Sequence, residues 1–316
     1  MIVSSSLKVA VIGVGALGVH HARIYQQLQQ TDLFAVVDIR EDRAREVAAK
    51  YGCTAYTDFH DVLDKVQAVS LAVPTEQHAC IGVDCLKAGL DLLVEKPIAS
   101  SLEQAGHLLE AAVRNNRVLR VGQSERFNPA LRAVLPFLTQ PLFFEAHRLG
   151  VFVARSLDID VVLDLMIHDL DLVLRLSRSR VSEVRAVGIP VLTPRIDIAN
   201  ARLEFENGCV ANITASRVSR EKVRKFRFFQ PNDYISLDFF KQEVEMYSLV
   251  DAGPGKKVEE RSLSITKGEP LRLEIESFVR ASAGESGGSV DFSACSGEQG
   301  AEALALALKI LEAARR

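Results

Sequence analysis

Lys8-Val9-Ala10-Val11-Ile12 runs straight into Gly13-Val14-Gly15-Ala16-Leu17-Gly18, and the residues beyond, His20 to Gln30, are patterned as a helix. A β-rich run, a G-x-G-x-x-G and a helix in that order give the glycine spacing a physical reading. Gly13 permits the tight turn. Gly15 lets backbone approach a pyrophosphate across the loop completed by Ala16 and Leu17. Gly18 allows close packing of helix on strand, and the helix N-terminus faces the anion. Asp38 lies 20 residues past Gly18, at the end of a second β-rich run, Leu33 to Val37. A carboxylate there accepts hydrogen bonds from ribose hydroxyls and repels a 2′-phosphate, which favours NAD over NADP. Arg40 and Arg43 act the other way, because a nearby arginine accommodates that phosphate, so NADP is not excluded.

The alternation continues downstream. Glu41 to Tyr51 reads as a helix, Ala68 to Val73 as a strand, Glu76 to Ala88 as a helix ending near Gly89, and Leu92 to Val94 as a strand. Leu102 to Asn115 reads as a helix and Val118 to Val121 as a fifth strand. Short apolar strands without alternation suit a parallel sheet covered on both faces, and the β-α-β spacing predicts a doubly wound domain over 1–122.

From Leu142 the texture changes. Phe143 to Leu149, Val184 to Ile189, Ala199 to Glu206, Val210 to Ala215, Val223 to Phe229, Tyr234 to Phe240 and Val244 to Val250 follow one another as strands. Asn207-Gly208 reads as a hairpin turn. Several runs alternate apolar and polar residues, as an antiparallel sheet with one covered face requires. Helices at Leu271 to Ala281 and Glu298 to Ala314 close a second, α+β domain over 123–316, with Gly284 to Ser289 as a surface loop. The predicted fold class is therefore α/β: a Rossmann sheet followed by an α+β domain with a large, open, mainly antiparallel sheet.

Composition narrows the function classes. The 316 residues are 48% hydrophobic and 25% charged, the balance of a soluble globular chain of two domains. A net charge of −3 gives no basic footprint for nucleic acid. Met1 to Ser6 carries no basic flank or long apolar run, so neither signal peptide nor membrane span is expected. Five scattered cysteines without a C-x-x-C pair read as reduced thiols in the cytoplasm, with no structural metal.

Two further signals carry chemistry. Glu95-Lys96-Pro97 follows the fourth predicted strand, and the carboxyl ends of such strands face the ligand crevice, so Lys96 is placed to reach a substrate. In Asp164-Leu165-Met166-Ile167-His168-Asp169-Leu170-Asp171, the Asp164 and His168 side chains fall on one helical face within an apolar stretch. A carboxylate beside an imidazole orients it and stabilises its protonated form, which suits a general base. A satisfied core histidine, or a metal held by Asp164, His168 and Asp171, is the alternative.

With these residues in view, the chain resembles the glucose–fructose oxidoreductase / inositol dehydrogenase (Gfo/Idh/MocA) family over nearly its whole length. The resemblance rests on Gly13 to Gly18, Val73-Pro74-Thr75-Glu76-Gln77-His78, Ala88-Gly89 leading to Glu95-Lys96-Pro97, and the Asp164/His168 pair. It implies that Lys96 contacts nicotinamide and substrate hydroxyl, that the Lys96–Pro97 bond is cis, and that His168 removes the hydroxyl proton beside Asp164. It also implies that Val73, Pro74, Thr75, His78, Glu95 and Pro97 line the cofactor, and that the second sheet joins subunits into homodimers or homotetramers.

Glu125-Arg126-Phe127-Asn128-Pro129, Arg148-Leu149-Gly150 and Asp158 to Val162 look like a subgroup acting on UDP-N-acetylhexosamines, on the way to a diamino lipid A. On that likeness the first expectation is oxidation at C3 of UDP-N-acetylglucosamine. Arg126, Asn128, Arg148 and Arg155 are the candidates for its diphosphate, since arginine binds phosphate in bidentate fashion. Surface charge or ion pairing is the plain alternative for each. The rival functions are a sugar or inositol dehydrogenase without a nucleotide handle, a dinucleotide-sensing regulator, and a scaffold that kept the fold.

Overall fold

A computed structural model describes residues 6–153, 159–253, 255–285, 292 and 294–315. It divides into two compact units: residues 1–127 with 269–301, and 128–268 with 302–316.

The first unit is built on six parallel strands: β1 (Leu7–Ile12), β2 (Thr31–Val37), β3 (Thr54–Tyr56), β4 (Ala68–Leu71), β5 (Asp91–Glu95) and β6 (Leu119–Gly122). Their order is β3-β2-β1-β4-β5-β6. The chain moves outward from β1 in one direction through β2 and β3, then returns to β1's other side with β4. That reversal opens a crevice between the carboxyl ends of β1 and β4, where ligands of such sheets bind. The connecting helices are α1 (Gly18–Gln27), α2 (Glu41–Tyr51), α3 (Thr75–Lys87) and α4 (Leu102–Arg114).

Two local features depart from the sequence reading. Helix α1 stops at Gln27 rather than Gln30, because the Thr31 hydroxyl donates to the carbonyls of Tyr25 at 2.6 Å and Leu28 at 3.1 Å and turns the chain into β2. The edge strand β3 has only three residues, too few to show a period, and it pairs with β2 from Ala35↔Thr54 to Val37↔Tyr56.

The second unit opens with α5 (Pro129–Val134) and carries β7 (Phe143–Leu149), a π-helical turn at Val162–Met166 and α6 (Ile167–Ser177). Then come β8 (Val181–Ile189), β9 (Ile198–Phe205), β10 (Val210–Ser216), β11 (Val223–Gln230), β12 (Asp233–Asp238), β13 (Glu243–Ala252) and β14 (Gly255–Glu260). The eight strands form one sheet, β14-β13-β12-β11-β7-β10-β9-β8, antiparallel except for the β7–β10 pair. Burial alternates along β7 and β9 to β11, with Phe144, Ala146, Leu203, Ile213, Phe226 and Phe228 on the covered face. Gly208 takes φ +81° in the β9–β10 hairpin, the conformation the Asn-Gly pair provides. Strand β14 was not expected because all six of its residues are exposed and carry no apolar period.

The chain closes with α7 (Pro270–Ser282) and α8 (Gly297–Ala314). The sequence expected everything from 123 onward in the second domain, whereas residues 269–301 cluster with the first unit. The reason is apolar: Ile275, Phe278 and Val279 of α7 join the core formed by Ile24, Tyr25, Val36 and Val47. The loop Gly284 to Ser289 lies outside the described residues from Ser286 on.

Candidate dinucleotide and hydroxyl site

The parallel register lines up the strand ends, with Ile12 opposite Leu71 and Leu71 opposite Val94. Gly13 therefore follows β1 beside the Ala72-Val73-Pro74 turn after β4, with Glu95-Lys96-Pro97 after β5. A cleft of about 590 Å³ opens here, lined by Gly13, Gly15, Asp38, Val73 and Pro74 among others. Gly13 has φ +85°, and a Cβ on it would lie 2.6 Å from the Ala72 carbonyl oxygen. A Cβ on Gly18 would lie 1.8 Å from the Gly13 carbonyl oxygen, while one on Gly15 would meet nothing within 4 Å. The loop is thus closed against side chains where it meets protein and open at the position through which a pyrophosphate would approach. These residues fit a dinucleotide. Ala16 and Leu17 are exposed at the tip of the loop.

Asp38 accepts hydrogen bonds from the backbone N–H of Val14 at 3.1 Å and of Arg40 at 3.0 Å. Those bonds fix its carboxylate at the cleft. The two arginines differ. Arg43 donates its Nε–H to the Val14 carbonyl and its Nη1 to Glu46, both at 2.8 Å, so it holds the loop. The Arg40 side chain is 63% exposed, with Nε 3.8 Å from Asp38. Sequence reasoning missed Ile39, Thr57, Phe59 and Ile81, which also line the cleft. Thr57 and Phe59 follow the unexpected β3; Ile39, 91% exposed, is an apolar side chain at the cleft that only the structure reveals.

The Lys96–Pro97 bond is cis, and Lys96 is half-buried. Thr75 opens α3, and one turn along it His78 is buried, with Nδ1 2.9 Å from the Pro97 carbonyl and Nε2 2.9 Å from the Val73 carbonyl. Burial pushes the imidazole below its ordinary pKa, while the Pro97 and Val73 carbonyls and the Glu95 charge pull it back upward. A neutral imidazole carries one N–H, so His78 donates to one of these two carbonyls while lying against both turns. Glu95 is also buried, with Oε1 2.9 Å from His21 Nε2 on α1.

In the second unit, Asp164 sits in the π turn and His168 in the first turn of α6, both half-buried among the buried Val161, Val162, Met166 and Ile167. A π turn inside a helix is frequent at functional sites. Of the other acids in that run, Asp169 faces Arg148 and Asp171 is buried. Among the described residues no three His, Cys, Asp or Glu side chains gather as a metal needs.

The diphosphate candidates receive a different account. Arg126 is 1% exposed and donates Nη1 to the Ala294 carbonyl and to Gln299 Oε1, at 3.1 and 2.7 Å. Asn128 caps α5 through Ala130 N–H and donates to the Phe239 carbonyl. Arg148 is buried in a two-pronged bond to Asp169, at 2.8 and 2.9 Å. Their donors are used inside the protein, so the structure corrects the expectation that these three meet a diphosphate. Arg155 lies outside the described residues.

Comparison with known proteins agrees with this geometry. The family described as "Oxidoreductase family, NAD-binding Rossmann fold" matches residues 7–123, and the "GFO/IDH/MocA C-terminal domain" matches 143–230. A UDP-N-acetylglucosamine 3-dehydrogenase from Acidithiobacillus ferrooxidans is 38% identical over 96% of each chain. Its solved structure superposes with a TM-score of 0.90, covering 98% of this chain and 97% of that one. A myo-inositol 2-dehydrogenase from Thermotoga maritima is 28% identical over 67% of this chain and 69% of its own. Levoglucosan dehydrogenase in complex with NADH shares the fold, with a TM-score of 0.85 at 20% identity over 98% and 97% of the two chains.

Proposed function

Because the chain belongs to the Gfo/Idh/MocA family of NAD-binding oxidoreductases, we propose that this dehydrogenase oxidises the C3 hydroxyl of UDP-N-acetylglucosamine to a ketone. The observation that carries the reading is the 38% identity to an enzyme named for that reaction, sustained over 96% of both chains. Gly13, Gly15, Gly18 and Asp38 hold the dinucleotide, and NAD, when bound, supplies the hydride acceptor. Lys96 binds the substrate hydroxyl and orients it. His168 takes the hydroxyl proton, with Asp164 steadying the imidazolium. The 3-keto product invites amination of the kind a diamino lipid A needs. Homodimers or homotetramers through the eight-stranded sheet complete the proposal. A cytoplasmic site of action is supported by five scattered cysteines with no C-x-x-C pair among them. No helix among the described residues is long and apolar enough to cross a membrane.

A second reading, oxidation of an inositol or free sugar, is favoured by one observation: Arg126, Asn128 and Arg148 are buried on internal partners rather than presented to a diphosphate. NADH formation measured with UDP-N-acetylglucosamine, UDP-N-acetylglucosamine uronate, free N-acetylglucosamine and inositols separates the two. Turnover only with a free polyol overturns the nucleotide-sugar assignment. Lys96→Met and His168→Ala should each lower kcat by roughly a hundredfold or more while NAD still binds; near-normal turnover in both sinks the assigned roles.

A further inference from the structure

Helix α1 carries two adjacent histidines that face opposite ways. His20 is exposed, whereas His21 is fully buried, against Glu95 at the carboxyl end of β5. Its Nε2 lies 2.9 Å from Glu95 Oε1, and its Nδ1 is buried without a hydrogen-bond partner. A carboxylate oxygen accepts, so His21 donates through Nε2, and the second ring nitrogen is left unmatched. A buried polar atom without a partner is destabilising, so His21 with its unmatched Nδ1 is not the best choice for stability alone.

The other side of Glu95 is equally confined. Gly122 stands opposite it in the β5–β6 register, and a Cβ there would lie 2.8 Å from Glu95 Oε2. Glu95 is thus seated between an imidazole and a bare backbone position. The next residue is Lys96, and the one after is Pro97, whose carbonyl lies 2.9 Å from His78 Nδ1. The lysine-bearing turn is thus flanked in sequence by a contact to a histidine of α1 at Glu95 and to a histidine of α3 at Pro97.

We infer that His21, acting through Glu95, is a positioning residue that sets the direction of the Lys96 ammonium and links it to the helix that follows the glycine loop. This rests on the role proposed for Lys96. His21 touches neither substrate nor cofactor in this account; it fixes the backbone from which the lysine projects. A misplacement of the order of 1 Å at a reacting group costs up to about a hundredfold in rate.

The test compares His21→Leu, His21→Gln and Gly122→Ala with Lys96→Met, using UDP-N-acetylglucosamine, or myo-inositol if that is the alcohol oxidised. His21→Leu removes the donor, and kcat should fall roughly tenfold or more, with the KM of the alcohol and the Kd of NAD within about twofold. His21→Gln supplies an amide N–H to Glu95 without a second ring nitrogen, and should restore kcat to within about threefold of the native value. Gly122→Ala, with His21 intact, should lower kcat like the leucine variant, because its methyl displaces Glu95. Normal kcat in the leucine and alanine variants, no rescue by glutamine, or a loss confined to NAD binding each overturns the inference. Should His21→Leu fail to fold, Gly122→Ala against His21→Gln decides it. Near-normal turnover of Lys96→Met instead removes the role of the lysine itself.

Discussion

At the scale of single residues, Gly15 and Gly18 share one loop but answer to different constraints. A side chain on Gly18 collides with the Gly13 carbonyl, which is backbone and has no room to yield. One on Gly15 projects into open space at the cleft. Gly18→Ala should therefore cost about 1–3 kcal/mol or more of stability through overpacking. Gly15→Val should leave stability within about 0.5 kcal/mol while abolishing NAD binding. Thermal unfolding and NAD titration of both variants check the split, and a Gly15→Val protein that still binds NAD normally removes the pyrophosphate from this position. The glycine roles were legible in the sequence because spacing and flanking elements dictate them. His21 was not, since a histidine on the buried face of a helix has no sequence mark that separates it from its exposed neighbour. Arg126, Asn128 and Arg148 mislead for the same reason: residue type shows what a side chain is able to bind, and burial decides what it does bind.

Among elements, the connection between β8 and β9 carries a different kind of polar centre. Asp197 is fully buried and accepts from the backbone N–H groups of Val191, Leu192 and Thr193, from the Thr193 hydroxyl, and from Arg217 Nε at 2.8 Å. Arg217 in turn donates to the Ile159 carbonyl, which ties the start of the Asp164 segment to the end of β10. Burial alone raises the Asp197 pKa, yet Thr193, Arg217 and the backbone donors outweigh it and hold the carboxyl far below its ordinary range. A carboxylate depressed on folding contributes stability in full above its unfolded pKa of about 3.9, and that contribution is lost as pH falls toward the depressed value. Asp197→Asn presents an amide to donors and takes away the buried carboxylate that Arg217 Nε meets, so unfolding free energy at neutral pH should drop by about 3–5 kcal/mol. In urea titrations the native protein should weaken below about pH 4 more steeply than the variant. Equal stability of the two at neutral pH refutes this account of the loop. Nothing in the sequence pairs Asp197 with Arg217, because the ion pair is closed by sheet register rather than by spacing.

Across the whole molecule, the two sheets were readable to different depths. Parallel strands buried on both faces announce themselves as apolar runs, and the β-α-β rhythm then leaves few topologies. The second sheet showed its strands, but not the order that places β7 between β11 and β10, which depends on long-range pairing. That order has a consequence on the less buried face. Phe143, Phe229, Tyr234 and Tyr247 stand opposite one another on β7, β11, β12 and β13. Their ring centroids are 5.7, 5.3 and 5.9 Å apart, so a half-exposed aromatic row crosses four strands. A continuous apolar strip of this kind on a sheet face marks an association surface better than scattered apolar residues do. Phe229 sits inside the row, and a lysine there places a charge where a symmetric partner would present the same strip, and hence the same charge. Phe229→Lys, combined with Tyr234→Lys to remove its neighbour, should convert a dimer or tetramer to a species of half the mass or less by light scattering. The Rossmann unit lies outside the substitution, so NAD affinity should stay within about twofold. A native-sized assembly in the double variant rules out this face as the contact between subunits.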